Sequence, residues 1–133
     1  MKYWNDIDNS TFFNKVFSYP VPISQLALAG IDIDNERSNI VIGFDILEIP
    51  DSPPVKWQQI EYNTCRIGID CGEIQNLAIK NIPTSKALNI KISQTDNHYH
   101  IHISNDDSIV EFIAKFISLR GPSVYFNTEH LQK

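Results

Sequence analysis

The sequence predicts a mainly β domain of the α+β type: a twisted antiparallel sheet or part-barrel of six to seven strands in hairpin order, with a short N-terminal helix. Three observations predict it. Apolar residues recur at every second position through most of the 133-residue chain, with isoleucine, a strand former, used 21 times. These runs are short and separated by polar or proline-containing turns. A single early segment has helical spacing instead, and prolines close it.

Residues 10–18 are that segment. Phe12, Phe13, Val16 and Phe17 share a helical face, Ser10 or Asn9 can cap it, and Pro20 and Pro22 stop it. Trp4 and these phenylalanines read as core anchors for a helix lying on a sheet. Leu26 and Leu28 then share one alternating phase and Ile31 and Ile33 the other, so a β-bulge is expected at Ala29-Gly30. Asp34 to Ser38 is a polar turn. Asn39 to Ile49 places Ile40, Ile42, Phe44 and Ile46 on one face. Val41, Leu47 and Ile49 make the other face partly apolar, so this strand is either covered on both sides or offers a stripe to a partner.

Pro50, Pro53 and Pro54 stiffen the loop that ends at Trp57, a residue suited either to plugging a sheet end or to anchoring a partner. Residues 58–69 and 74–82 read as two strands joined by a two-residue turn at Cys71-Gly72. Pro83-Thr84-Ser85 is a loop. Residues 87–93 and 98–104 pair across Thr95-Asp96-Asn97. The last segment carries two signals. Ser108 and Glu111 form a capping-box pattern, Ile109, Phe112, Ile113, Phe116 and Ile117 fall at helical spacing, and Glu111 and Lys115 are an i,i+4 pair. As a strand, it would turn Val110, Phe112, Ala114 and Phe116 inward. No linker or repeat divides the chain, so residues 1–133 are expected to form one domain.

The composition is 42% apolar and 20% charged, with 5 Gly and 7 Pro, which excludes disordered and collagen-like classes. No apolar run approaches the ~18 residues of a membrane-spanning helix, and no secretory signal opens the chain. A soluble, cytoplasmic protein is expected. The net charge of −5 argues against direct nucleic-acid binding, which needs a basic footprint. Residues 32–51 hold six carboxylates against one base, Arg37, and so carry the whole excess. They form either a solvated hairpin face or an acidic binding surface.

Little points to catalysis. Cys65 and Cys71 are too few for a disulfide framework and read as reduced thiols with no activating His nearby in sequence. Asp32/Asp34 and Asp106/Asp107 are paired carboxylates, but both pairs flank turns rather than a cleft. No Gly-rich phosphate loop, nucleophile elbow, C-x-x-C or H-E-x-x-H motif occurs, and three Arg in all argue against a phosphate-handling enzyme. His98, His100 and His102 would project from one face of a strand about 6.8 Å apart. Such a row is either a polar outer face or part of a metal site that needs a further ligand from a neighbour. No enzyme and no cofactor is expected.

The middle of the chain resembles the immunity protein 50 family of bacterial polymorphic-toxin systems. The resemblance is carried by Asn39-Ile-Val-Ile-Gly-Phe44, by the proline–tryptophan loop Ile49-Pro50-Asp51-Ser52-Pro53-Pro54-Val55-Lys56-Trp57, and by Tyr62-Asn63-Thr64. Trp4, Phe17 to Pro20, the Ile74 to Ile79 strand and Ile109 to Ala114 fit the same pattern. Tyr19-Pro20-Val21-Pro22 departs from the Pro-Ser-Phe-His-like stretch usual there. The resemblance implies a small cytoplasmic protein that binds and blocks the toxin domain encoded beside it, without chemistry of its own. It favours a strand for the last segment. Many such toxins are basic nucleases, and an acidic surface would oppose their clefts. The expected partner-binding residues are therefore Asp32, Asp34, Glu36, Asp45, Glu48 and Asp51, with Leu47 and Ile49 as apolar contacts. Two other readings remain: a small-ligand-binding β-module using Tyr62, Tyr99 and Trp57, and a metal-binding protein built on His98, His100 and His102.

Overall fold

Alternating apolar and polar residues must place one face of each strand in a core, and closing the sheet on itself covers that face without a second layer. The chain does this. The computed structural model describes residues 1–82 and 87–128, so the predicted loop at Pro83-Thr84-Ser85 lies outside the described residues. The strands are β1 (Gln25–Asp34), β2 (Asn39–Ile46), β3 (Thr64–Lys80), β4 (Ala87–Gln94), β5 (Tyr99–Ser104) and β6 (Ile109–Tyr125). They form a closed antiparallel barrel in the order β1-β2-β3-β6-β5-β4. The predicted mainly β class with a short N-terminal helix is thus correct, with six strands and closure complete.

The seam is short. β1 and β4 pair only through Gln25↔Asn89, Leu26↔Leu88 and Ala27↔Ala87. Inside, Ile40, Ile42, Phe44, Ile69, Ile101 and Phe112 are each at most 1% exposed. Side chains fill the barrel, and Trp4 closes on it with its ring 5.1 Å from that of Phe44.

The bulge in β1 falls where expected, between Leu28 and Gly30. It brings both phases onto one face: Leu28 lies opposite Phe44, and Ile31 and Ile33 lie opposite Ile42 and Ile40. The helix α1 is shorter than predicted, Thr11–Val16. Ser10 stands at its N-cap but makes no side-chain cap; its hydroxyl donates to the Asn5 carbonyl at 2.8 Å. Phe13 and Val16 are buried from this helix, and Phe17 just after it. Trp57 is a plug, 8% exposed, with Phe12 packed edge-on at 5.6 Å.

Two expectations are corrected. Cys71-Gly72 is not a turn: β3 runs unbroken through it for 17 residues. Gly72 pairs with Asn39, the first residue of β2, on one side and Phe116 on the other, and the left-handed Glu73 (φ 52°) follows where the pairing with β2 stops. The turn chemistry marks a corner, not a reversal. The last segment is a strand, and its helical signals have a structural origin. Its inward residues are Val110, Phe112 and Ala114, then Ile117 and Leu119, with Lys115 and Phe116 both exposed between them. The change of phase inserts one three-residue step into a two-residue period, which imitates helical spacing. The capping-box pattern belongs to the β5–β6 turn instead, where Asn105 Oδ1 accepts from the amides of Asp107 and Ser108.

Candidate functional site

The register sets side chains from four strands in rows on one outer face. Asp32, Val41, Asp70 and Ser118 form one row. Ala27, Asp45, Arg66 and Ser123 form another, and Gly30, Gly43, Gly68 and Arg120 lie between them. The glycines leave bare backbone on the floor. At Gly68 the approach is close, since a Cβ there would meet the Ile42 carbonyl oxygen at 2.8 Å. Beside this row a groove of about 640 Å³ is lined by Ala27, Asp45, Leu47, Arg66, Tyr125 and Asn127, among others.

Polar bonds hold the groove's floor. Arg66 Nε and Nη2 donate to the two oxygens of Asp45 at 2.9 and 3.3 Å. The Tyr125 hydroxyl donates to Asp45 Oδ2 at 2.6 Å and accepts from Arg66 Nη2 at 3.0 Å. The Asp45 bond pushes the Arg66 guanidinium pKa up. Burial, followed by Asp45, pushes up that of the Tyr125 phenol. Asn63 secures the groove's end: its Oδ1 accepts from the Asn127 amide and the Thr64 hydroxyl, each at 2.8 Å, and its Nδ2 donates to the Asn127 carbonyl. Asn63 therefore satisfies backbone groups at that end of the groove.

The expected acidic set divides. Asp32, Asp34 and Glu36 cluster at the β1–β2 turn and are exposed. Asp45, Leu47, Glu48, Ile49 and Asp51 lie toward and beyond the other end of β2, about 20 Å away by strand rise. Several of these carboxylates have structural partners. Asp34 Oδ1 accepts from the amides of Glu36 and Arg37, which shapes the turn. Asp51 ties its loop to the helix end by accepting from the Ser18 amide at 2.9 Å and from the Ser18 hydroxyl. The hydroxyl bond chiefly, then the amide bond, lowers the Asp51 pKa. Asp32 and Glu36 stay exposed, and Leu47 is the most exposed apolar member, at 66%. The alternation analysis missed Asp70, which accepts from Arg120 at 2.9 Å, and Phe116, 58% exposed opposite Gly72. Reading β3 as one strand would have placed Asp70, and only the phase change in β6 turns Phe116 outward.

The histidine row lies on the far side of the barrel. β5 runs between β4 and β6, so Lys91 and Ser93 flank His102 and His100 on one side, and Glu111 and Ile113 on the other. Glu111 Oε2 lies 2.5 Å from His102 Nδ1 and 3.4 Å from His100 Nε2. The His102 bond chiefly lowers the Glu111 pKa. The neighbouring carboxylate exists after all, hidden in the segment that read equally as helix. Among the described residues, however, no three His, Cys, Asp or Glu are arranged to hold a metal ion. Cys65 and Cys71 are both free thiols facing inward, and burial pushes each pKa up to about 12.

The fold and its outer faces define a class: a small antiparallel barrel, filled inside, that displays a polar and partly apolar sheet face to its surroundings. The chain belongs to the Immunity protein 50 family, whose model matches residues 9–125. Comparison with curated proteins and with solved structures gave no match. No helix among the described residues is long and apolar enough to cross a membrane.

Proposed function

We propose that this protein is a toxin-neutralising immunity protein that acts in the cytoplasm by binding a cognate toxin domain and obstructing it. The observation that carries this reading is the family match over most of the chain. The architecture supports it. The barrel interior is filled, which counts against an enclosed small ligand, while the outer face of β1, β2, β3 and β6 is broad and partly apolar. An inhibitor of this kind needs roughly 800 Å² of its surface in contact. That face, with Asp32, Glu36, Leu47, Glu48 and Ile49 at its ends, offers a suitable area. The uneven negative charge suits a basic partner such as a nuclease, through faster encounter. The protein performs no reaction in this scheme.

Co-expression with the toxin domain encoded beside the gene tests the proposal. Cells should survive expression of that domain only when this protein is present, and the two should co-purify. Survival that does not depend on this protein, or absence of a complex, would refute it.

A further inference from the structure

Sheets leave backbone groups unpaired at their edges, and proteins blunt such edges with covering segments, bulges, Pro or Lys. The short seam of this barrel leaves strand edges, and among the described residues those of β4, β6 and β3 are guarded. Beyond the seam, the edge of β4 is covered from the N-terminal side: the Ile90 amide donates to the Ser24 carbonyl, and the Met1 ammonium to the Ile92 carbonyl. The edge of β6 past β5 is met by Asp8, whose carbonyl accepts from the Leu119 amide at 2.8 Å. The edge of β3 past β2 is broken by a bulge between Gln75 and Ala78, with Asn76 left-handed at φ 56°, and ends in Lys80.

β1 is different. After Ala27 it leaves β4, and from Gly30 to Asp34 it pairs regularly with β2 on one side. Among the described residues nothing pairs with its other side. This stretch has no Pro and no Lys. Among the described residues nothing lies within 4 Å of a Cβ built on Gly30. Ile33, on the inward face, is 50% exposed, and Ile31 is half-buried.

We propose that the Gly30–Asp34 edge of β1 receives an extended segment of the toxin domain in which Lys or Arg alternates with apolar residues. The inference rests on the neutralising function proposed above and names how the partner is held. Backbone pairing would supply affinity and alternate side chains the selectivity. On the outer face, residues of the added strand lie beside Asp32 and Asp34, where opposite charge stabilises a cross-strand pair. On the inner face they meet Ile31 and Ile33. The same carboxylates disfavour the other obvious occupant, a second copy of this chain. Antiparallel pairing of two β1 edges would bring Asp32 and Asp34 of both copies together, and like charges across a ladder are destabilising.

Amide hydrogen exchange of this protein alone and in complex with the toxin domain tests the idea. The outward-pointing amides of Gly30–Asp34 should exchange at least tenfold more slowly in the complex. The reversal Asp32→Lys should weaken the complex at least tenfold, while its unfolding midpoint and circular dichroism show that the barrel is intact. A complex in which exchange at Gly30–Asp34 is unaltered overturns the edge assignment and leaves the neutralising function standing. Failure to form any complex overturns both. Protection of the same amides in a dimer of the isolated chain would assign the edge to self-association and overturn the proposal.

Discussion

Arg66 on β3 holds Asp45 on β2 by two hydrogen bonds, at 2.9 and 3.3 Å, with the guanidinium carbon 4.8 Å from the centre of the Tyr125 ring. The pair joins two strands at the floor of the outer groove, so a residue that looked like part of an acidic docking surface braces the barrel. Asp45→Ala should lower stability by about 1–2 kcal/mol, the low end for a charged hydrogen bond because Arg66 is partly exposed. Urea denaturation measures it. A double-mutant cycle with Arg66→Ala should give a coupling of about 1 kcal/mol. A coupling near zero would show that the contact contributes nothing.

The two glycines facing each other on β2 and β3 should respond differently to the same change. Gly68→Ala drives a methyl group to 2.8 Å from the Ile42 carbonyl oxygen, a backbone atom that cannot swing aside. A loss of roughly 1–3 kcal/mol is expected, as for overpacked sites. Gly43→Ala meets open space and should be neutral or slightly stabilising, since alanine restricts the unfolded chain. Equal effects at both positions would contradict the close approach of the strands.

Glu111 and Asp51 both have pKa values below the usual carboxylate range, Glu111 through His102 chiefly and Asp51 through Ser18 chiefly. The folded form therefore binds fewer protons near pH 4 than the unfolded form does. Each carboxylate favours folding above its unfolded-state pKa, and that contribution fades as pH falls through the lowered folded value. Asp51 is exposed and Glu111 only half-buried, so the effects are small. Unfolding midpoints measured from pH 6 to pH 3 should fall less steeply in Glu111→Gln and in Asp51→Asn than in the parent. An unchanged slope in both would dismiss these bonds as determinants of acid stability.

Cys65 and Cys71 face the core six residues apart on one strand, too far for a bridge at about 20 Å by strand rise. With both thiols pushed up to about 12 by burial, hardly any thiolate exists at neutral pH. A thiol reagent should label both only as fast as the protein unfolds, and two equivalents should react in denaturant. Rapid labelling of the native protein would reveal an opening that the closed barrel does not show.

The strands were legible wherever one face alternated cleanly, as in Ile40 to Ile46 and Leu88 to Ile92. The β1 bulge was legible because its phase change coincided with a glycine. Two places hid from local pattern. At Gly72 the turn signal was real, but partners on both sides kept the strand going. Between Ala114 and Ile117 the alternation skipped a residue, and only pairing with β5 and β3 separates that from a helix. Both misreadings also hid outer-face residues, Asp70, Phe116 and Glu111, because a side chain can be placed on a face only after its register is known. The acidic residues were visible, but which of them were already engaged by Ser18, Arg66 or the turn amides depends on contacts distant in sequence.

The corner where β3 and β6 exchange their inward residues ties the two halves of the barrel together. Glu73 and Lys115 sit there side by side, 3.7 Å apart. Removing one residue near Lys115 would do far more than shorten a loop. It would put all five inward residues of β6 in one two-residue phase, while β3 keeps its own three-residue step from Cys71 to Ile74, so the pairing on one side of the joint would slip by a residue. Length variation in this protein is therefore expected to be tolerated in its turns and forbidden at that joint.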